Sequence, residues 1–193
     1  RAWACRTTSS CTARRQKRTE ARAAPPCRER AATPGPSDHV RKRGDEAVIA
    51  YTRRFDGVAV SELRISEDAL RQSAARAEPQ IVAALRVAIA NVRRFHESEL
   101  EQSWEICSGD GVRLGQRLTP LERVGLYVPG GTAAYPSSIV MNVVPAQVAQ
   151  VERIVVTTPP RTLAENPAVA AALLELNVSE IYAVGGAQVI AAL

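Results

Sequence analysis

The chain has 193 residues, of which 46% are hydrophobic, and a net charge of +5. That length suits one domain or somewhat more. No apolar run reaches the roughly 18 residues that a membrane-spanning helix needs, so we expect no membrane segment. The charge is uneven: residues 1–43 carry a net +9 and the remainder a net −4. Because nucleic-acid binding needs a clustered positive face, we do not expect it of the globular part.

Residues 1–37 contain no Leu, Ile, Val, Met, Phe or Tyr. Such a segment cannot offset its ordering entropy, and we predict a disordered basic tail. A transit peptide and a nucleic-acid-binding arm are two interpretations of its Arg-rich composition. We favour a third, translation of a wrong or shifted reading frame, because the composition changes abruptly near Val40.

The region 38–104 is predicted to be helical from its apolar spacing. One helix is expected over 38–55 with Gly44 inside it, unless Asp45 caps a shorter helix that begins after Gly44. The further predicted helices are 67–77, preceded by Ser66, and 79–101, with Pro79 at its start. The inward positions of the last helix are expected to be Ile81, Leu85, Ala88, Val92 and Phe95.

The region 105–193 alternates short β-branched runs with helical runs. The predicted strands are 112–118, 123–128, 153–157 and 180–184. The predicted helices are 137–149, 166–176 and one that begins at Gly185-Gly186. This alternation predicts an α/β fold, a Rossmann-like lobe with a parallel sheet. Since the pattern stops at Leu193 within an apolar run, we expect the lobe to be incomplete at its C-terminus.

Tyr127 lies at the end of a predicted strand, in the sequence GLYVPGGT of residues 125–132. Ligands of open α/β sheets bind at the carboxyl ends of strands. Paired glycines let backbone approach a ligand closely, and a following helix N-terminus favours anions. A tight turn with a tyrosine in the core is the simpler interpretation, and the spacing alone favours it.

Gln188 follows the next strand end, in the sequence VGGAQ of residues 184–188. Its amide can donate and accept hydrogen bonds, as recognition of a ribose or carboxamide requires. An exposed helix residue or a cap is the alternative. Neither glycine cluster is a GxGxxG fingerprint, so a standard Rossmann phosphate loop is not predicted.

No metal site is predicted from the histidines and cysteines. His96 is expected on a solvated helix face, within reach of Glu99, and His39 adjoins the tail. Three cysteines lie in the tail, in a spacing that fits no zinc motif. Cys107 is expected to be a small buried hydrophobe. This cysteine usage indicates a reducing, cytoplasmic setting.

Long ungapped blocks of the chain resemble the histidinol dehydrogenase family. The run ERVGLYVPGGTAAYPSSIVMNVVPAQVAQVERIVVTTPP (122–160) is similar to the family's central signature, and EIYAVGGAQVIAAL (180–193) to its next block. The run RKRGDEAVIAYTRRFDG (41–57) resembles the family's N-terminal helix. The resemblance covers roughly residues 40–193 and leaves out the tail.

The resemblance implies an oxidoreductase that converts L-histidinol to L-histidine through the aldehyde, with transfer of two hydrides to NAD⁺, the last step of histidine biosynthesis. Members are zinc-dependent homodimers. Tyr127 and Gln188 fall on the tyrosine and glutamine that contact NAD in the family. Residues 105–193 would then be the first NAD-binding lobe.

The same resemblance places the zinc ligands and the acid/base pair after Leu193, so no catalytic or metal-binding residue is assigned to this chain. We therefore expect the 193-residue chain by itself to lack dehydrogenase activity. The alternatives are a nonfunctional truncated remnant and a nucleotide-binding module without catalysis. A nucleic-acid-binding protein that uses the basic tail is a further, less favoured alternative.

Overall fold

A computed structural model describes residues 35–130 and 135–193. The predicted disorder of residues 1–37 falls almost wholly on residues 1–34, outside the described ranges, and stays a prediction. The division near residue 105 also stays a prediction. Within the described ranges, no helix combines the length and apolarity needed to cross a bilayer.

Two helices, not one, begin the described chain: α1 (Pro36–Arg43) and α2 (Asp45–Asp56). The prediction of one helix through Gly44 is therefore wrong. Gly44 has φ +55° and ψ −135°, a conformation that glycine adopts readily and other residues rarely do. The alternative of a shorter helix that begins after Gly44 agrees better with the structure. Its cap differs from the prediction, because Gly44 is the N-cap and Asp45 is the first residue of α2.

The next two helices are α3 (Glu67–Ala74) and α4 (Pro79–Ser98). The Ser66 hydroxyl oxygen accepts a hydrogen bond from the backbone N–H of Ala69 at 3.2 Å, as expected of an N-cap. In α4 the inward stripe is Val82, Leu85, Ile89 and Val92. The predicted stripe is thus partly wrong, since Phe95 is 60% exposed: α4 turns a slightly different face toward the core.

An antiparallel hairpin follows, formed by β1 (Trp104–Cys107) and β2 (Arg113–Gln116), with Ile106 opposite Leu114. The sequence predicted the second strand and missed the first. All eight strand residues are exposed. The expectation that Cys107 is buried is consequently wrong, because its strand lies outside the core.

Three strands form a parallel sheet in the order β3-β4-β5. Their bounds are Arg123–Tyr127, Arg153–Thr158 and Glu180–Ala183. The helices around them are α5 (Pro136–Val148), α6 (Thr162–Glu165), α7 (Pro167–Glu175) and α8 (Gly186–Ala192). This parallel sheet with interleaved helices confirms the predicted α/β class. Among these sheet strands and the helices around them, only α6, a single turn, has no counterpart in the sequence prediction.

Helices pack on both faces of this sheet. On one face Val156 and Ile181 join the main core with the apolar residues of α5 and α7. On the other face Tyr127 and Tyr182 pack with Val48 of α2 and Val189 of α8. Cover on both faces explains why the strands are nearly continuous apolar runs.

Candidate functional site

The carboxyl ends of β3, β4 and β5 meet at one edge of the parallel sheet. In the register, Tyr127 pairs with Thr157 and Thr158 pairs with Ala183. The loops that leave the three strands therefore begin side by side. This is the edge at which α/β proteins bind ligands.

The ring of Pro159 separates two of these loops. A Cβ added to Gly185 would lie 2.9 Å from Pro159 Cγ, and one added to Gly130 would lie 3.0 Å from the same atom. The Gly130 Cβ would also overlap the Thr162 hydroxyl oxygen. Protein atoms thus occupy the space that these two glycines leave. Packing within the protein is sufficient to explain them, without close approach of a ligand.

Gln188 lies in the first turn of α8, as predicted, and is only 1% exposed. The alternative of an exposed helix residue is therefore wrong, and no side-chain cap bond is formed at the start of α8. Its side chain lies over Gly186, where an added Cβ would be 2.6 Å from Gln188 Oε1. Gly186 also has φ +73°, which favours glycine. Within the described chain, Gln188 Nε2 has no hydrogen-bond partner.

Tyr127 is the last residue of β3 and is half-buried. It packs against a cluster that includes Val184 and Val189, at the start of the segment that carries Gln188. The structure thus brings both sequence-predicted residues to the same edge of the sheet. The interpretation of Tyr127 as a partly buried core residue is equally satisfied by this packing.

Two polar residues at this edge were not singled out from the sequence. Thr158 and Thr162 are each 1% exposed, and neither hydroxyl has a hydrogen-bond partner among the described residues. Sequence alone offers no signal for them beyond their position after a strand.

One charged pair lies beside the loop that follows β4. Burial raises the pKa of Asp56, and the nearby Arg161 guanidinium opposes this by lowering it. Asp56 Oδ2 is buried without a partner among the described residues. Arg161 is exposed and directly precedes Thr162.

A cavity of about 660 Å³ lies along the face of the sheet that α2 and α8 cover, and its lining extends from the first strand residues to Thr157 and Val184. Its lining includes Arg123, Arg153 and Glu180, the first residues of β3, β4 and β5. Hydrogen bonds from Arg153 hold the pKa of Glu180 below its usual value. Arg153 and Glu180 pair with each other at this cavity, and we assign no ligand to it.

The histidines do not form a metal centre in the described part of the chain. His96 Nδ1 lies 2.6 Å from Glu99 Oε2, so the predicted contact is confirmed, although the His96 side chain is only 22% exposed. His39 Nδ1 lies 2.6 Å from the Tyr51 hydroxyl. Among residues 35–130 and 135–193, no three His, Cys, Asp or Glu side chains are grouped as a metal site would require.

The fold and this edge define an α/β protein whose candidate site lies at the carboxyl ends of parallel strands. A protein-family model described as histidinol dehydrogenase matches residues 36–193. The chain therefore belongs to the histidinol dehydrogenase family, as the sequence resemblance indicated.

Known relatives agree with this assignment. Histidinol dehydrogenase of Geobacillus kaustophilus is 53% identical over 80% of this chain, and that of Bacillus licheniformis is 48% identical over 86%. The crystal structure of histidinol dehydrogenase from Elizabethkingia anophelis superposes with a TM-score of 0.75 at 31% identity over 81% of this chain. The chain spans 37% and 39% of the length of the two curated relatives and 36% of the crystallised chain.

Proposed function

We propose that residues 105–193 form the first NAD-binding lobe of a histidinol dehydrogenase. The whole enzyme would oxidise L-histidinol to L-histidine through histidinaldehyde, in the last step of histidine biosynthesis. The observation that supports NAD binding most directly is the Gln188 amide, buried at the carboxyl edge of the sheet with Nε2 unpartnered among the described residues. A buried unpaired donor is costly and rare, and a bound ligand that accepts a hydrogen bond would account for it.

The residues present fit a dinucleotide at this edge. Gln188 would hydrogen-bond a ribose hydroxyl or the carboxamide, and the half-buried ring of Tyr127 would provide an apolar surface beside it. When bound, NAD supplies the hydride acceptor. The protein's part is to orient the cofactor and to exclude water from it.

The other properties of the family are proposed without assignment to residues of this chain. They are zinc dependence, histidinol as substrate, assembly as a homodimer and a cytoplasmic location. We assign no zinc ligand and no acid/base residue to residues 1–193. Oxidation of the aldehyde needs an activated water and a base, and we expect the 193-residue chain alone not to turn over histidinol.

Calorimetric titration of the 193-residue chain with NAD tests the proposal. We expect saturable binding that weakens by about tenfold or more in Tyr127→Ala and Gln188→Ala, which corresponds to roughly 1.4 kcal/mol of lost contact. Tyr51→Ala is the matched control. Tyr51 packs against the same cluster but lies on α2, outside the three strands of the sheet.

Thermal unfolding of each variant separates loss of contact from loss of fold. Weak binding in Tyr127→Ala and not in Tyr51→Ala, at similar unfolding temperatures, would support the site. Absence of NAD binding by the folded wild-type chain would refute the proposal, and turnover of histidinol by this chain would refute its expected inactivity.

A further inference from the structure

Buried polar atoms without partners are concentrated at the carboxyl edge of the sheet. The described chain has five such side-chain atoms, and three of them belong to Thr158, Thr162 and Gln188. Natural proteins contain few such atoms, because each loses hydration free energy that no hydrogen bond replaces. Their presence together requires an explanation.

The three side chains are connected through direct neighbours. The Thr162 hydroxyl lies against Gly130, the Pro159 ring lies between Gly130 and Gly185, and the Gln188 side chain lies over Gly186. Thr158 is the last residue of β4 and directly precedes Pro159. All three unpaired groups thus lie at the end of β4 or in the segments that follow the strands. Ligands of open α/β sheets bind at this edge.

We propose that the hydroxyls of Thr158 and Thr162 bind oxygen atoms of the pyrophosphate–ribose backbone of the dinucleotide. This inference rests on the proposed NAD-binding function. A threonine hydroxyl both donates and accepts, so it suits phosphate oxygens and ribose hydroxyls equally.

Two opposite effects follow from replacing each threonine by valine, which has the same shape. Removal of an unpaired buried hydroxyl is neutral or favourable for folding. Removal of a ligand contact is unfavourable for binding. We therefore expect Thr158→Val and Thr162→Val to unfold at the same or a higher temperature while they bind NAD about fivefold to tenfold more weakly.

Thr52→Val is the matched control. Thr52 is 0% exposed, and its hydroxyl donates to the Val48 carbonyl oxygen at 2.9 Å within α2. We expect this variant to unfold at a slightly lower temperature and to bind NAD as the wild type does. Comparison of affinity and unfolding temperature between these variants distinguishes a hydroxyl that binds the ligand from one that stabilises the fold.

Calorimetric titration with NAD and with ADP-ribose, which lacks nicotinamide, is the experiment. Weaker binding of both ligands by the two variants supports the proposal. Unchanged binding of both by a wild-type-like variant overturns it and leaves the proposed function intact. A loss seen with NAD alone overturns the assignment to the pyrophosphate–ribose backbone, as does a lowered unfolding temperature with unchanged affinity. Absence of NAD binding by the wild-type chain refutes the proposed function itself, and this inference with it.

Discussion

Side-chain volume is the main constraint on Gly130 and Gly185 at the carboxyl edge. Gly185 has φ −118° and ψ −177°, an extended conformation open to any residue. What excludes a larger residue there is the Pro159 ring. Gln188 differs, since its amide is buried beside those glycines with an unpaired nitrogen in the described chain. The same loop thus contains a residue explained by packing and one that packing does not explain.

Gly185→Ala should destabilise the protein by about 1–3 kcal/mol, because the added methyl group would overpack a tight contact with a rigid ring. Chemical denaturation gives the free energy of unfolding. The control is Gly109→Ala, since a Cβ at Gly109 meets no atom within 4 Å. Equal stabilities of the two variants would contradict the packing explanation.

The secondary-structure elements are joined by bidentate ion pairs as well as by apolar contacts. Arg153 of β4 donates to Glu180 of β5 at 2.6 and 2.7 Å, and Arg86 of α4 donates to Glu175 of α7 at 2.8 Å twice. These bonds lower the pKa of both glutamates below the usual 4.5. The paired residues lie 27 residues apart in the first pair and 89 in the second, so each pair connects elements that are distant in sequence.

Glu180→Gln should lower the free energy of unfolding near neutral pH. The difference from wild type should become smaller as the pH falls into the acid range. Because the pKa of Glu180 is lower in the folded state, its stabilisation is present above about pH 4.5 and is lost as the pH falls through the folded value. Urea unfolding at a series of pH values measures the difference from wild type. Glu152→Gln, at an exposed position before β4, is the control. A difference that stays constant into acid would show that the ion pair is not its source.

Across the whole molecule, the main core lies on the face of the sheet that α5 and α7 cover. Leu173 of α7 and Val156 of β4 are both 0% exposed there. By contrast, Phe95 of α4 and Trp104 of the hairpin are 60% and 54% exposed. Apolar residues are therefore divided between a closed core and an open surface, which composition alone does not distinguish.

Leu173→Ala should cost about 2–5 kcal/mol, the usual range for a fully buried leucine whose cavity the surroundings do not fill. Leu121→Ala is the control, since Leu121 is 65% exposed and should change stability by less than about 0.5 kcal/mol. Urea unfolding of both variants provides the comparison. A small effect at Leu173 would mean that the core around α7 is loosely packed.

The sequence by itself determined the α/β class, the positions of β3 to β5 and the family. These depend on local periodicity, turn residues and long matching blocks, all of which are properties of neighbouring residues. Only the tertiary structure decided which residues distant in sequence are in contact. The Pro159 ring between Gly130 and Gly185, the burial of Gln188 and the unpaired hydroxyls of Thr158 and Thr162 arise where separate strands end side by side. Contacts between residues far apart in the chain leave no periodic signal, so only the folded arrangement reveals them.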